Sequence, residues 1–247
     1  FPGTYALMAR RHFHEYGSNH DDLVNISVKN HMHGFENEVA HLRKEVSFEK
    51  AASGFMVADP LTLYDCCPTS DGASCVILAA DHVVREFTDD PIWLKGSGAG
   101  SDHLALHDRS SITQMSATQK AVAQAYKSSG LGANDIDLAE VHDCFTIAEL
   151  MATEDLGFAN RGEGGIFARE GRGRRNEGDV AINPSGGLKS KGHPLGATGT
   201  GQAVEVFKQL KGIVEAPRQI RDAEVGMTHN VGGSGATCAV HIFGRDR

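Results

Sequence analysis

The chain has 247 residues and a net charge of −8, with 24 Lys and Arg against 32 Asp and Glu; this disfavours nucleic acid as the main partner, because basic side chains carry phosphate recognition. An apolar fraction of 40% and a charged fraction of 23% allow a buried core and exclude wholesale disorder. No apolar run reaches the length of a membrane span and no signal-peptide layout opens the chain, while five cysteines without framework spacing point to a reducing compartment.

In chain order, Thr4 to Tyr16 reads as a helix closed by Gly17, and Asp21-Asp22-Leu23 opens a second through Val24, Ile26 and Val28. His31 to Phe55 is polar and mixed. Residues 1–55 are expected to form a mostly helical surface layer rather than a core. Met56-Val57-Ala58 leads into Pro60 to Asp65 and a turn around Pro68 to Gly72. Ala73-Ser74-Cys75-Val76-Ile77-Leu78-Ala79 is a near-continuous apolar run, expected to be a strand buried on both faces. Further strands are expected at Pro91 to Gly96, Asp137 to His142, Val225 to Thr228 and Thr237 to Phe243. Helices are expected at Ser116 to Ser128, Ile147 to Leu156 and Gly201 to Leu210. Strands alternating with helices define an α/β chain. Arg161 to Asp179, rich in Gly, Arg and Glu, reads as a solvated connecting loop, because acidic residues offset its arginines.

Three clusters carry reactive side chains. The first is His142-Asp143-Cys144-Phe145, at a strand-to-helix junction. The second runs from Asn183-Pro184-Ser185-Gly186-Gly187 to Gly192-His193-Pro194 and Gly199. The third is His229-Asn230-Val231-Gly232-Gly233-Ser234-Gly235. None is a Walker loop, since His193 rather than Lys follows Gly192, and Ser234 lacks the second glycine of a nucleophile elbow. His193, held between glycine and proline before a helix, fits either a nucleophile activator and oxyanion donor or a plain turn. Cys144 beside His142 and a helix start is either an activated thiol or a buried inert one. His12, His14, His31 and His33 stand in i, i+2 pairs that share no helix face, so surface histidines are expected rather than metal ligands.

Taken together, the three loops resemble the thiolase superfamily, and more closely its sterol-carrier-protein-type members and bacterial acetyl-CoA acetyltransferases. Tyr64-Asp65-Cys66-Cys67-Pro68 with Ser70-Asp71-Gly72-Ala73 adds to the likeness. The resemblance implies a fold of α-β-α-β-α layers with a loop domain over the site. On that pattern residues 1–55 are part of the loop domain, 56–90 the end of the N-terminal half and 91–247 the C-terminal half. It implies acyl transfer on coenzyme A thioesters, by Claisen condensation or thiolytic cleavage of 3-ketoacyl-CoA, in lipid metabolism such as fatty acid β-oxidation. No cofactor beyond those substrates and no metal is expected.

His193 would activate the nucleophilic cysteine and line an oxyanion hole with His142. Cys144 would move the α-proton, Asn230 would stand where other thiolases keep a second cysteine, and Gly232 would contribute a backbone N–H to a second oxyanion hole. The family's Cys-x-Ser nucleophile is absent: Pro68, Thr69, Ile77, Thr146 and Val240 lie two residues after the five cysteines. Residues before Phe1, a separate N-terminal chain or a decayed function each account for this, the first being expected from the missing initiator methionine. A homodimer or homotetramer and a cytoplasmic rather than peroxisomal location complete the expectation. Two alternatives are a thiolase-fold retro-aldol lyase on acyl-CoA and a non-catalytic partner subunit.

Overall fold

Pro2 in the first turn and Gly17 in the left-handed region (φ 73°) bound helix α1 (Pro2–Tyr16), as residue preferences at helix ends require. Asn19 caps α2 (His20–Phe35): its side chain accepts the Asp21 N–H, and Asp22 accepts the Asn19 N–H in return. A short α3 (Phe48–Ala52) precedes the small hairpin of β1 (Met56–Ala58) and β2 (Leu61–Thr62). The computed structural model describes residues 1–247.

The main sheet comprises β3 (Trp93–Ser101), β4 (Leu138–Glu140), β5 (Ala181–Ile182), β6 (Val225–Gly232) and β7 (Thr237–Gly244), in the spatial order β3-β7-β6-β4-β5. β3, β7 and β6 are antiparallel neighbours, whereas β4 runs parallel to both β6 and β5. Between the strands lie α4 (Ser116–Ser129), α5 (Thr146–Asp155), α6 (Gly164–Arg169), α7 (Gly187–Ser190) and α8 (Thr198–Lys211). Alternation along β4 divides the faces: Ala139 joins the large cluster that includes α4 and α5, and Leu138 joins the smaller one with Val206 and Leu210 of α8.

Glycines set the closest contacts. A Cβ at Gly96, Gly98 or Gly100 would lie 2.4, 1.9 or 2.1 Å from the carbonyl oxygens of Ala125, Ala121 and Ala117. The α4 backbone therefore rests directly on β3. On the outer edge of that strand, α4 side chains take the free backbone groups: Ser128 accepts the Ser97 N–H, Gln124 Nε2 donates to Ala99 O, and Lys120 Nζ donates to Ser101 O. A free sheet edge is thereby covered by its own helix.

Four expectations are corrected. Residues 1–55 are no mere surface layer: Tyr5, Met8, Ala9, Leu23 and Ile26 belong to the principal core. The apolar run from Ala73 to Ala79 forms no strand, and Ile77 is 91% exposed and Leu78 77%; nothing in this chain pairs with it, and a strand needs neighbours. Histidines 12, 31 and 33 are buried, with only His14 of that group exposed. Polar partners make burial tolerable for two of them: His12 lies between Ser18 Oγ (2.6 Å) and Glu154 Oε1 (3.1 Å), and His33 Nδ1 is 3.0 Å from Asn183 O. The Arg161 to Asp179 segment is not all loop, since it contains α6 with Phe167 buried. Its arginines do meet acids, as in Arg161 with Glu154 and Asp155 and Arg172 with Asp179.

Candidate functional site

β4 ends at Glu140, and the chain turns through His142, Asp143 and Cys144 before Thr146 starts α5. Buried polar contacts hold this turn. Asp143, fully buried, accepts the N–H groups of Leu188 (2.6 Å) and Lys189 (3.2 Å) and the Asn30 amide (2.8 Å). It thus ties the first loop to α7, which leads into the second, and to α2. Gly187, at φ 61°, makes room: a Cβ there would lie 2.3 Å from the Asp143 carboxylate. Asn30 and Asn183 both donate to Glu149, which Lys29 also meets at 2.9 Å. Burial, then the nearby Glu149, raises the Asp143 carboxyl above the usual aspartate range.

A second set of contacts runs through Asp65. It accepts from Thr62, from His20 (2.9 Å) and from the Thr146 hydroxyl (2.7 Å). The Cys67 N–H donates to Cys144 O at 3.0 Å, and isolated bridges pair Cys66 with Phe145 and Thr69 with His193. Residues 65–69 are therefore stitched to both reactive loops.

The imidazoles of His142 and His193 meet edge to face, 5.0 Å between ring centres and perpendicular. The His142 N–H donates to His229 Nδ1 (3.4 Å), which brings the third cluster to the first. Burial, reinforced by the neighbouring His193, pushes His142 down to about 3, and burial alone takes His229 to about 3. His193, half-buried, is also lowered by loss of water. All three rings are neutral at ordinary pH; His229 has both nitrogens engaged, by the His142 backbone N–H and by Thr118 Oγ1, which leaves His142 and His193 as the rings able to act as bases or N–H donors.

Cys144 is 8% exposed, and burial raises its thiol well above the usual value; the facing Tyr5 phenol partly offsets this. Its resting form is the protonated thiol. Asn230 donates to Gln202 Oε1 at 3.1 Å, and its side chain lies about 3.6 Å from where a Gly199 Cβ would be. Gly232 ends β6, opposite Thr237. The structure thus gathers His142, His193 and Asn230 around the start of α8, places Gly232 at the end of the adjoining strand, and sets Cys144 against Tyr5 and Cys67. Sequence reasoning assigned no part to Asp143, Asn30, His229 or Thr198. Asp143 and His229 lie inside the reactive clusters, whereas Asn30 carries no signal apart from its place on α2.

An open cleft of about 760 Å³ lies beside the site rather than at the two histidines, lined by Thr69, Ser70, Gly192, Pro194, Thr198 and Lys208 among others. No three His, Cys, Asp or Glu side chains converge to hold a metal ion. No helix is long and apolar enough to cross a membrane.

Fold and loops together define an α/β domain, and comparison with known proteins gives its family. Residues 98–245 match the family described as Thiolase C-terminal domain-like, and the chain belongs to it. It is 51% identical to an acetyl-CoA acetyltransferase of Methanothermobacter thermautotrophicus over 99% of this chain and 63% of the relative. It is 36% identical to sterol carrier protein 2 of Oryctolagus cuniculus, over 95% of this chain and 44% of that protein. A solved structure named Ltp2-ChsH2(DUF35) aldolase superposes with a TM-score of 0.87 at 26% identity, covering 99% of this chain and 63% of that one. The thiolase fold expected from the loops is thereby established. The chain spans less than two thirds of the length of these relatives.

Proposed function

We propose that the chain supplies the acid/base half of a thiolase-type acyl-CoA C-acyltransferase, acting on acyl-CoA or 3-ketoacyl-CoA. The observation that carries this reading is the meeting of His142 and His193 at 5.0 Å with Cys144 two residues further on. His193 takes the proton of an incoming thiol and then donates it toward the thioester oxygen. His142, kept neutral, is the second donor to that oxygen. Cys144, resting as a thiol, delivers its proton to the enolate in cleavage, and the thiolate this leaves is the form that removes the α-proton in condensation. Gly232 donates its N–H to the tetrahedral intermediate.

The nucleophilic cysteine belongs to a Cys-x-Ser loop outside the 247 residues, none of whose five cysteines has serine two places on. The exposed Val76, Ile77 and Leu78 and the cleft beside them are where the remainder of an N-terminal half would pack, whether as a longer chain or a separate one. In that arrangement 1–55 belongs to the loop domain, 56–90 closes the N-terminal half and 91–247 is the C-terminal half. The assembled protein is a homodimer or homotetramer in the cytoplasm. Coenzyme A thioesters are its substrates and it needs no further cofactor.

Enolisation tests this reading without the nucleophile. Incubated with acetyl-CoA in D₂O, the chain should incorporate deuterium into the acetyl methyl group, and Cys144→Ala should abolish this. No incorporation by the folded wild-type chain would overturn the proposal. One observation favours a second reading, retro-aldol cleavage of a β-hydroxyacyl-CoA: the TM-score of 0.87 to a structure named as an aldolase. Release of an aldehyde or ketone from such a substrate, without acyl-enzyme formation, would decide for it.

A further inference from the structure

Thr198 is the first residue of α8 and only 3% exposed. Its hydroxyl has two neighbours: His193 Nδ1 at 2.7 Å and Pro194 O at 3.0 Å. A threonine hydroxyl holds one proton, so it donates once and otherwise accepts. A carbonyl oxygen can only accept. Were the proton directed at His193, two bare oxygens would face each other at 3.0 Å with nothing between them. The favourable arrangement sends the threonine proton to Pro194 O, the back-bond to residue i−4 that a helical threonine readily makes. The hydroxyl then accepts from His193, which must carry its proton on Nδ1.

We propose that Thr198 is a positioning residue that locks His193 in the Nδ1–H tautomer and leaves Nε2 as a bare base. This rests on the acyl-transfer reading, in which Nε2 takes the thiol proton and afterwards donates it to the thioester oxygen. His193 Nε2 makes no hydrogen bond within the chain, so the lone pair is free for that exchange. The lock is fixed by the fold: Pro194 O also receives the N–H groups of Ala197 (2.8 Å) and Thr198 (2.9 Å), and Ala197 O is held by Ser74 Oγ (2.8 Å). His229 provides an internal contrast. Its Nδ1 accepts the His142 N–H, so Nε2 carries the proton toward Thr118 Oγ1 at 3.0 Å. The two imidazoles are thus held in opposite tautomers by the partners their Nδ1 atoms meet.

The test is long-range ¹H–¹⁵N spectroscopy of the ¹⁵N-labelled 247-residue chain, with His193→Gln used to assign the resonances. The wild type should show a protonated Nδ1 and an unprotonated Nε2 at His193, and the reverse at His229. Thr198→Ser should keep the His193 pattern and stay within about threefold of the wild-type methyl-proton exchange on acetyl-CoA. Thr198→Val should give mixed tautomers at His193. An Nε2–H signal at wild-type His193, or an unchanged pattern in Thr198→Val, would overturn the lock. Should Thr198→Val not fold, the wild-type and Thr198→Ser spectra still decide. Because the spectra need no turnover, an Nδ1–H tautomer without exchange would remove the acyl-transfer reading and leave the lock standing.

Discussion

His142 and His193 come from different loops, yet their rings stand perpendicular at 5.0 Å. Asp143 fixes that distance, since the carboxylate next to His142 grips the backbone of Leu188 and Lys189 just ahead of the His193 loop. On the acyl-transfer reading proposed above, the two histidines act on one oxygen while Cys144 serves another step. In a protein that also carries the Cys-x-Ser loop, Cys144→Ala should abolish α-proton exchange and spare acylation by acetyl-CoA. His193→Ala should impair both. Mass spectrometry of the acyl-enzyme and deuterium incorporation separate the steps, and equal loss of both in Cys144→Ala contradicts the assignment.

Removing the Asp143 carboxylate leaves two backbone N–H groups without a partner and takes from the Asn30 amide one of its two acceptors. Each buried unpaired donor costs about 1–3 kcal/mol, so Asp143→Ala should destabilise the chain by about 3 kcal/mol. It should also weaken exchange on acetyl-CoA, because the loops lose their tie. A urea midpoint unchanged from wild type would show that Asp143 does not join them.

The contact of α4 with β3 gives a paired expectation. A methyl group at Gly98 meets Ala121 O at 1.9 Å, whereas at Gly3 it meets nothing within 4 Å. Gly98→Ala should cost about 3 kcal/mol, the upper range for forcing an atom into a packed contact. Gly3→Ala, in the first turn of α1, should gain about 0.5 kcal/mol from helix propensity. Thermal unfolding of both variants checks the contrast; similar shifts would mean that the helix does not rest on the strand.

Much of the fold was legible because its signals are local. Gly17 and Gly130 close α1 and α4 as their sequence positions imply, and the strands expected at Asp137 to His142, Val225 to Thr228 and Thr237 to Phe243 coincide with β4, the first half of β6 and β7. The run from Ala73 to Ala79 misled for the opposite reason: an apolar run becomes a strand only where another strand pairs with it, and none in this chain does. The i, i+2 histidines were judged by shared faces, a criterion blind to a partner such as Glu154 for His12. The reactive loops were readable as clusters. Their joining was not, because it depends on Asp143 reaching the backbone of α7 and on Asn30 of α2, whose side chains gain meaning only from the groups they meet.

Acid should unfold this chain steeply. Burial takes His142 and His229 to about 3 and His31 to about 4, from an ordinary value of 6.5. His33 moves the same way. Between those values and 6.5 the unfolded chain binds the extra protons, so stability falls as pH falls, by about 1.4 kcal/mol per pH unit for each ring. Asp143 works in the opposite sense: its carboxyl is raised, so the folded state holds a proton that the unfolded state has lost, and acid favours folding there. His20, raised by its bond to Asp65, contributes stability that is complete below 6.5 and fades only as pH rises through its folded value. Four rings against one carboxyl leave a net loss of up to about 4 kcal/mol per pH unit between pH 6 and 4. Urea midpoints at pH 7, 6 and 5 should therefore drop progressively. His229→Gln, which removes one titrating ring, should flatten the slope by about a third; a flat wild-type profile would mean that these imidazoles are not held neutral by burial.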